Sequence, residues 1–297
     1  MPHPRLSPSL IFLFSLFCPS FSLFSISFAP LVGNQLRLAV AFGAAANMTA
    51  TNMIREPRLG LPTDVDALTQ VIIQTMPLDP QWNYRFPPAL RQKYPDDHRK
   101  YTRMLFEYFL DQSYTDWCVM VVEDSLEPGG SDTAIVSFGV WDVSFLNKRR
   151  YGPKYRAQDP VTDVENNGGS TRKDANHEHF NQFWKGQIRA YKRYFAPIGP
   201  EQMHLQVLAT HPDYQRRGHA TSLCNWAIER VREERLKDMS VMASPMGYGL
   251  YTKLGFETVA TFPIQVPGEE EKLTLVAMMY TPSQIQEFVL SEEDDTD

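Results

Sequence analysis

The chain has 297 residues, with 29 Lys or Arg, 35 Asp or Glu, 3 Cys and a formal net charge of −6. Its 43% of hydrophobic and 22% of charged residues exclude a wholly disordered, collagen-like or coiled-coil chain, and its length suits one domain with an insertion or two small domains. The negative charge argues against binding nucleic acid by phosphate neutralisation. No two cysteines form a Cys-x-x-Cys pair, so we expect neither a disulfide scaffold nor a bound metal.

Residues 1–47 differ from the rest of the chain, because they contain no acidic residue and only two basic ones, Arg5 and Arg37. The apolar stretch 10–32 is long enough to span a membrane, but prolines and serines interrupt it. Three interpretations stay open: a secretory signal or membrane anchor, a disordered or targeting extension, and a segment extraneous to the folded protein. We therefore place the folded domain at 48–285 and an acidic tail at 286–297.

The folded region begins with alternating strand-like and helix-like patterns. In chain order these predict a strand over 53–59, a helix capped by Thr63, a proline-marked loop over 77–88, a helix over 96–112 and a β-hairpin of strands 117–123 and 133–143. With the later elements, this order predicts a mixed α/β (α+β) sheet domain.

Residues 145–200 are predicted to be an insertion. It starts with a polar irregular loop over 145–175 and continues with an aromatic helix over 177–195. His177 and His179 stand two positions apart on that helix, where their side chains diverge, so we expect an exposed polar patch rather than a metal site.

The most informative stretch is a strand, a turn and a helix over 203–231. A period of two places alternate residues of the strand on opposite faces. One face then carries Met203, Leu205, Val207 and Ala209, and the other carries His204, Gln206 and Leu208. The helix has an apolar stripe, formed by Ala220, Leu223, Cys224, Ala227, Ile228 and Val231.

Gly218 lies where the turn enters this helix. The first N–H groups of a helix have no partner and carry partial positive charge, so they bind phosphate when the backbone can come close. Gly218 and the small Ala220 leave that approach open, and Arg216 and Arg217 add cations. The pattern is neither a Walker loop nor G-x-G-x-x-G. It predicts a cradle for a diphosphate, the alternative being a glycine that only shapes the loop.

Two motifs resemble the GCN5-related N-acetyltransferase (GNAT) superfamily. Residues 215–220 read Gln-Arg-Arg-Gly-His-Ala, similar to the family's Gln/Arg-x-x-Gly-x-Gly/Ala, and residues 251–256 match Tyr-x-x-x-Gly-Phe. The resemblance implies a GNAT-like fold, which has a mostly antiparallel central sheet with splayed strands, flanked by helices. It also implies acetyl-CoA as cosubstrate, an amine acceptor and direct transfer in a ternary complex.

The resemblance also implies roles for particular residues. The pyrophosphate would lie on the signature loop, which comprises Gln215, Arg216, Arg217, Gly218, His219, Ala220 and Thr221. The pantetheine arm would run along the preceding strand, against Leu208, Ala209 and Thr210. Tyr251 corresponds to the tyrosine that protonates the departing thiolate. The aromatic residues Trp82, Tyr84, Phe86, Trp184, Tyr191 and Tyr194 favour a core interpretation, with an acceptor pocket for an apolar amine as the alternative.

A base must deprotonate the acceptor ammonium before it attacks, and His204 is the candidate. The stretch 204–220 is similar to the arylalkylamine (serotonin) N-acetyltransferase branch, whose strand carries His-Leu-His. Here the first histidine is His204, whereas Gln206 replaces the second. A histidine with an ordinary pKa near 6.5 suits base chemistry at neutral pH. The alternative is a histidine that caps the strand or packs under the insertion.

These inferences lead to one expected function and two alternatives. We expect an acetyl-CoA-dependent N-acetyltransferase for a small-molecule amine, without a nucleic-acid partner. A protein or peptide N-acetyltransferase and a non-catalytic acyl-CoA-binding domain stay open. A pocket covered by residues 145–195 favours a small molecule, and an open groove favours a peptide. Acetyl-CoA chemistry favours a cytoplasmic location, whereas residues 10–32, if retained, favour a membrane or secretory route.

Overall fold

The computed structural model describes residues 56–127, 130–152 and 154–282, so the predicted leader and acidic tail lie outside the described residues. Seven strands in this part of the chain form one sheet, ordered β1-β2-β3-β4-β5-β7-β6. They are β1 (Arg58–Leu59), β2 (Trp117–Ser125), β3 (Thr133–Asp142), β4 (Gln202–Thr210), β5 (Asp238–Ala243), β6 (Glu257–Gln265) and β7 (Lys272–Tyr280). Neighbouring strands are antiparallel except the parallel pair β4–β5. The predicted mixed, mostly antiparallel sheet is confirmed.

Helices accompany the sheet along the described chain. They are α1 (Val65–Thr75), α2 (Pro80–Arg85), α3 (Pro88–Lys93), α4 (Pro95–Leu110), α5 (Phe145–Tyr151), α6 (Pro160–Asn166), α7 (His177–Ala190), α8 (His219–Glu233) and α9 (Pro245–Lys253). In the described ranges, every helix is too short or too polar to cross a bilayer.

The observed helix boundaries show that two predictions about the N-terminal helices are wrong. The predicted loop over 77–88 is wrong, because Pro80 and Pro88 start α2 and α3. Proline is tolerated at the first helical position, where its missing N–H would have had no partner. Thr63 is not the cap of α1 either. It lies inside a short 3₁₀ turn, and α1 begins at Val65.

The insertion is more ordered than its sequence suggests. Residues 145–175 contain α5 and α6, anchored by the buried side chains of Phe145 and Val164. The exposed patch predicted at the start of α7 is also wrong for His179. That ring is 5% exposed, stacks on Tyr84 at 4.0 Å, and its Nε2 lies 2.6 Å from a Glu269 carboxylate oxygen. Tertiary packing, which local polarity does not report, buries these residues.

Two of the three core clusters lie on opposite faces of the sheet, and the third, around Phe183 and Leu275, packs α2 and α7 against β6 and β7. On one face, Met203 and Leu205 pack with Leu223 and Ala227 of α8. On the other, Val207 and Ala209 pack in the cluster that contains Leu68 and Phe106, from α1 and α4. The stripe predicted on α8 is confirmed from Leu223 to Val231, where its members are buried.

A β-bulge in β4 corrects the predicted division of that strand into faces. Val140 pairs with Val207, whereas the next residue of β3, Trp141, pairs with Leu205, so Gln206 is an extra residue. An extra residue reverses the alternation of side chains along a strand. Met203 and Leu205 therefore face α8, whereas Val207 and Ala209 face α1 and α4, and the predicted single apolar face is wrong.

Candidate active site

The site lies where β4 and β5 separate. The two strands pair only from Gln202 and Asp238 to Leu205 and Val241, after which β5 continues to pair with β7 alone. Residues 206–210 of β4 line a cavity of about 690 Å³, and residues 207–210 pair with β3 on their other side. On the side away from β3, the main chain of this half-strand has no neighbouring strand in the described residues. It can therefore receive an extended ligand through backbone hydrogen bonds.

The start of α8 forms the second wall of the same cavity. Gly218 precedes the helix with φ 91° and ψ −2°, and no side chain of the described residues caps it. The first-turn N–H groups of His219, Ala220 and Thr221 have no acceptor within the helix, and all three residues line the cavity. The side-chain amide nitrogen Nε2 of Gln215 donates to the Thr210 carbonyl oxygen at 3.2 Å, which ties the turn to the end of β4. The predicted anion cradle is therefore adjacent to the free strand.

The side chains of residues 216–219 differ in their exposure and in their hydrogen-bond partners. Arg216 is exposed and takes a φ of 64°. Arg217 is also exposed, donates to the Asp213 carbonyl oxygen at 2.8 Å and lies 3.5 Å from the Asp124 carboxylate. The His219 ring is 4% exposed, with Nε2 3.0 Å from an Asp124 oxygen. This contact fastens the start of α8 to β2, so His219 offers its main chain to a ligand while its imidazole is held by Asp124.

Tyr251 on α9 lines the cavity and is 5% exposed. Burial raises the pKa of Tyr251 well above its ordinary value of 10, so the phenol keeps its proton at neutral pH. Ser244 caps the N-terminus of α9, and its hydroxyl accepts from the Gly247 N–H. A Cβ at position 247 would lie 2.7 Å from the Tyr251 ring, so the glycine provides the space in which that ring packs.

His204 does not line this cavity. Its ring is 8% exposed, packs 5.6 Å from the rings of Tyr191 and Phe195, and has Nδ1 2.8 Å from the Ser240 hydroxyl. Burial lowers the pKa of His204 to about 4. Gln206, two residues further along β4, does line the cavity. The structure therefore brings Tyr251 and the cradle together and leaves His204 behind the wall, where its role as a base stays a prediction.

The far part of the cavity is formed by the N-terminal helices and the insertion. Its aromatic lining comprises Trp82, Phe86, Tyr101, Phe109, Phe180, Phe183 and Trp184. Of the six aromatic residues considered from the sequence, Trp82, Phe86 and Trp184 line the cavity, whereas Tyr84, Tyr191 and Tyr194 do not. The apolar surface suits an organic acceptor with a hydrophobic body.

Charged residues that the sequence analysis did not single out also line this end. Asp79 is 6% exposed and caps α2 by accepting from the Gln81 N–H at 3.0 Å. Glu165 of α6 contributes a second carboxyl, whose pKa burial raises, and Arg85 and Arg172 contribute two guanidinium groups. The Asp-Pro pair that starts α2 was a usable sign of a helix cap, but only the tertiary fold brings these residues to β4.

Comparison with known proteins gives a family match for the second half of the chain. Residues 172–281 match the family described as acetyltransferase (GNAT) domain. A segment of 74 residues, 25% of this chain, is 31% identical to a protein named acetyltransferase from Stachybotrys chartarum and spans 32% of that relative's length.

Solved structures of low sequence identity are also similar. A structure titled histone acetyltransferase HPA2 and related acetyltransferase, from Corynebacterium glutamicum, is 18% identical, with 79% of this chain and 99% of that chain covered at a TM-score of 0.45. PaiA N-acetyltransferase from Thermoplasma acidophilum, in complex with coenzyme A, is 10% identical, with 76% and 98% covered at a TM-score of 0.43.

Proposed function

We propose that this chain, whose residues 172–281 match the acetyltransferase (GNAT) domain family, transfers the acetyl group of acetyl-CoA to the primary amine of a small molecule. One observation carries the proposal. A single cavity joins the half of β4 that does not pair with β5, the uncapped start of α8 and the protonated phenol of Tyr251. These are a site for an extended polar arm, a site for a diphosphate and a proton donor.

The residues present fit acetyl-CoA. The main-chain N–H groups of residues 216–221 would hold the pyrophosphate, with Arg216 as an additional cation. The backbone of Leu208, Ala209 and Thr210 would bind the pantetheine arm as an added strand. When bound, acetyl-CoA supplies a thioester, whose carbonyl carbon an amine can attack.

The chain's own groups would move the protons of this reaction. As the amine nitrogen bonds to the carbonyl carbon and the C–S bond breaks, the amine loses a proton to a base and the sulfur gains one. Tyr251 is the donor to sulfur, because burial keeps its phenol protonated. For the base, the chain offers His204, which matches the arylalkylamine pattern, and Asp79, which lines the cavity.

The position of the insertion supports a small acceptor over a peptide. Within 145–195, α6, α7 and Arg172 contribute side chains to the cavity wall. The similarity of 204–220 to the arylalkylamine branch further supports an amine with an apolar body. We place the reaction in the cytoplasm, because that is where we expect acetyl-CoA to be available.

The test is a free-thiol release assay with acetyl-CoA and a panel of arylalkylamines, polyamines, amino acids and peptides, together with calorimetric binding of acetyl-CoA. Tyr251→Phe is expected to lower kcat by about 10²-fold without weakening acetyl-CoA binding. Tyr248→Phe, on the same helix but 40% exposed, is the matched control and keeps full activity. Binding without thiol release from any amine would instead support the non-catalytic alternative.

The same assay separates the two candidate bases. His204→Gln and Asp79→Asn each keep similar size, so a loss of about 10²-fold in kcat identifies the base. Because burial lowers the pKa of His204 to about 4, this ring is uncharged from pH 6 upward. An acid limb of kcat/KM near pH 6.5 that survives His204→Gln would exclude this histidine from the role.

A further inference from the structure

Arg85 is a half-buried cation that forms no ion pair with the described residues. Its guanidinium lies 4.1 Å from the ring centre of Phe183, 5.2 Å from Trp82 and 5.4 Å from Phe86. Nε donates to the Gln81 carbonyl oxygen at 3.2 Å. Its two terminal nitrogens have no acceptor in the described ranges, where no carboxylate approaches them within 4 Å. The residue lines the acceptor end of the cavity.

The neighbouring Arg172, by contrast, has a carboxylate partner. It is 5% exposed, lies 4.4 Å from the Phe86 ring, and binds both oxygens of Asp174 at 2.7 Å. Buried charges are normally paired in this way, because an uncompensated one is costly. Burial lowers the pKa of Arg85 to about 9, with Asp79 opposing that effect. Arg85 therefore differs from Arg172 in having no carboxylate within hydrogen-bond distance among the described residues, although Asp79 lies on the same wall.

Two further donors on the same wall lack acceptors. The indole N–H groups of Trp82 and Trp184 are buried with no hydrogen-bond partner in the described structure, and both residues line the cavity. Both indole nitrogens are inaccessible from the cavity, so they do not contribute to ligand binding in this conformation. A ligand with negatively charged oxygens would satisfy the guanidinium of Arg85, while the aromatic rings cover its carbon skeleton.

We propose that the acceptor is an amine that also carries a carboxylate, and that Arg85 binds this carboxylate through its planar fork. The assignment rests on the proposed function, since it concerns the acceptor of that transfer. Arg85 then selects the substrate and directs its amine toward Tyr251, whereas Trp82 and Phe183 contact the apolar part of the molecule. A guanidinium matches a carboxylate in two parallel hydrogen bonds, which a neutral amide cannot reproduce.

The test measures binding in the presence of coenzyme A, so that no turnover is needed. The probes are phenylalanine and ω-amino acids of increasing chain length, each compared with its own primary amide by calorimetry. At least one acid is expected to bind about tenfold or more tightly than its amide. Arg85→Met reduces that ratio to about one and leaves the amide's Kd unchanged, whereas Arg85→Lys keeps part of it. Arg103→Met, an exposed arginine of α4, preserves the full ratio.

Several outcomes would overturn the assignment. Equal binding of acids and amides, binding of neither, or a ratio that survives Arg85→Met each refutes it. A structural role of Arg85 would weaken acid and amide alike, and urea unfolding of the variants shows whether they fold. If amines without a carboxylate are acetylated and acids gain nothing, the carboxylate site fails and acetyl transfer stands. If acids bind through Arg85 but no thiol is released with any amine, the proposed transferase fails and the carboxylate site stands.

Discussion

Replacing Asp174 by Asn is expected to lower the free energy of unfolding by about 3–5 kcal/mol at pH 7, because it leaves Arg172 buried without its counter-ion. Asp174 has no exposed side-chain surface, and Arg172 has 6%. The carboxylate accepts two hydrogen bonds from Arg172 at 2.7 Å and one from His98 Nδ1 at 2.6 Å. Asn keeps the size of the side chain but can match only part of this pattern.

The pKa of Asp174 gives the pH dependence. Burial alone would raise it, but the hydrogen bonds from His98 and Arg172 outweigh burial and lower it from 3.8 to about 2. That difference corresponds to at most about 2 kcal/mol of stability. Since the pKa is lowered in the folded state, this stability is present above pH 3.8 and is lost as the pH falls toward 2. Burial lowers the pKa of His98, so its neutral ring donates from Nδ1 at pH 7.

Urea unfolding followed by tryptophan fluorescence measures both effects. The matched control is Asp66→Asn, because the Asp66 side chain is 67% exposed where it pairs with Arg103, and it is expected to cost less than about 1 kcal/mol. Wild type should lose more stability between pH 4 and pH 2 than Asp174→Asn does. A loss below about 1 kcal/mol at pH 7, or equal acid sensitivity of the two proteins, would refute the reasoning.

Three further predictions concern the cradle, the core and Tyr251. Gly218→Ala should cost about 1–2 kcal/mol of stability, because φ at this position is 91°, and should raise the Kd of acetyl-CoA in calorimetry; an unchanged Kd contradicts the cradle. Leu223→Ala, at a fully buried site, should cost about 2–5 kcal/mol in urea unfolding, and a smaller loss would mean that the α8 contact is loose. Because burial raises the pKa of Tyr251 well above 10, kcat should show no alkaline decline below pH 10; a decline that disappears in Tyr251→Phe would show that Tyr251 titrates in that range and refute the raised pKa.

The half of the cavity that we assign to coenzyme A, called the coenzyme half below, has a geometry that was predictable because its determinants are local. A free helix start needs only a strand, a turn, a glycine and a helix within a few residues, and 203–231 contains all of them in order. The conformation of Gly218 and the buried stripe of α8 both follow from that short stretch.

The predictions that were wrong concern residues whose partners are distant in sequence. The bulge at Gln206 exists only relative to the register of β3, so strict alternation along β4 placed Val207 with Met203 although they face opposite sides. The insertion was predicted to be irregular because its polar surface hides the few residues, such as Val164, that pack inward. His179 looked exposed for the same reason, since its partner Glu269 is 90 residues away.

The two halves of the cavity come from different parts of the chain, which bears on specificity. The family match begins at residue 172 and includes β4, α8 and α9, the elements that form the coenzyme half. Asp79 and Arg85 lie outside that match, on helices that reach the cavity only through packing. In the proposed function, the matched region holds the thioester, and the choice of amine depends on the N-terminal helices together with α7, which lies inside the match. On the wall that these helices form, the guanidinium of Arg85 has no carboxylate within hydrogen-bond distance among the described residues, and an acceptor that supplies one would compensate its partly buried charge.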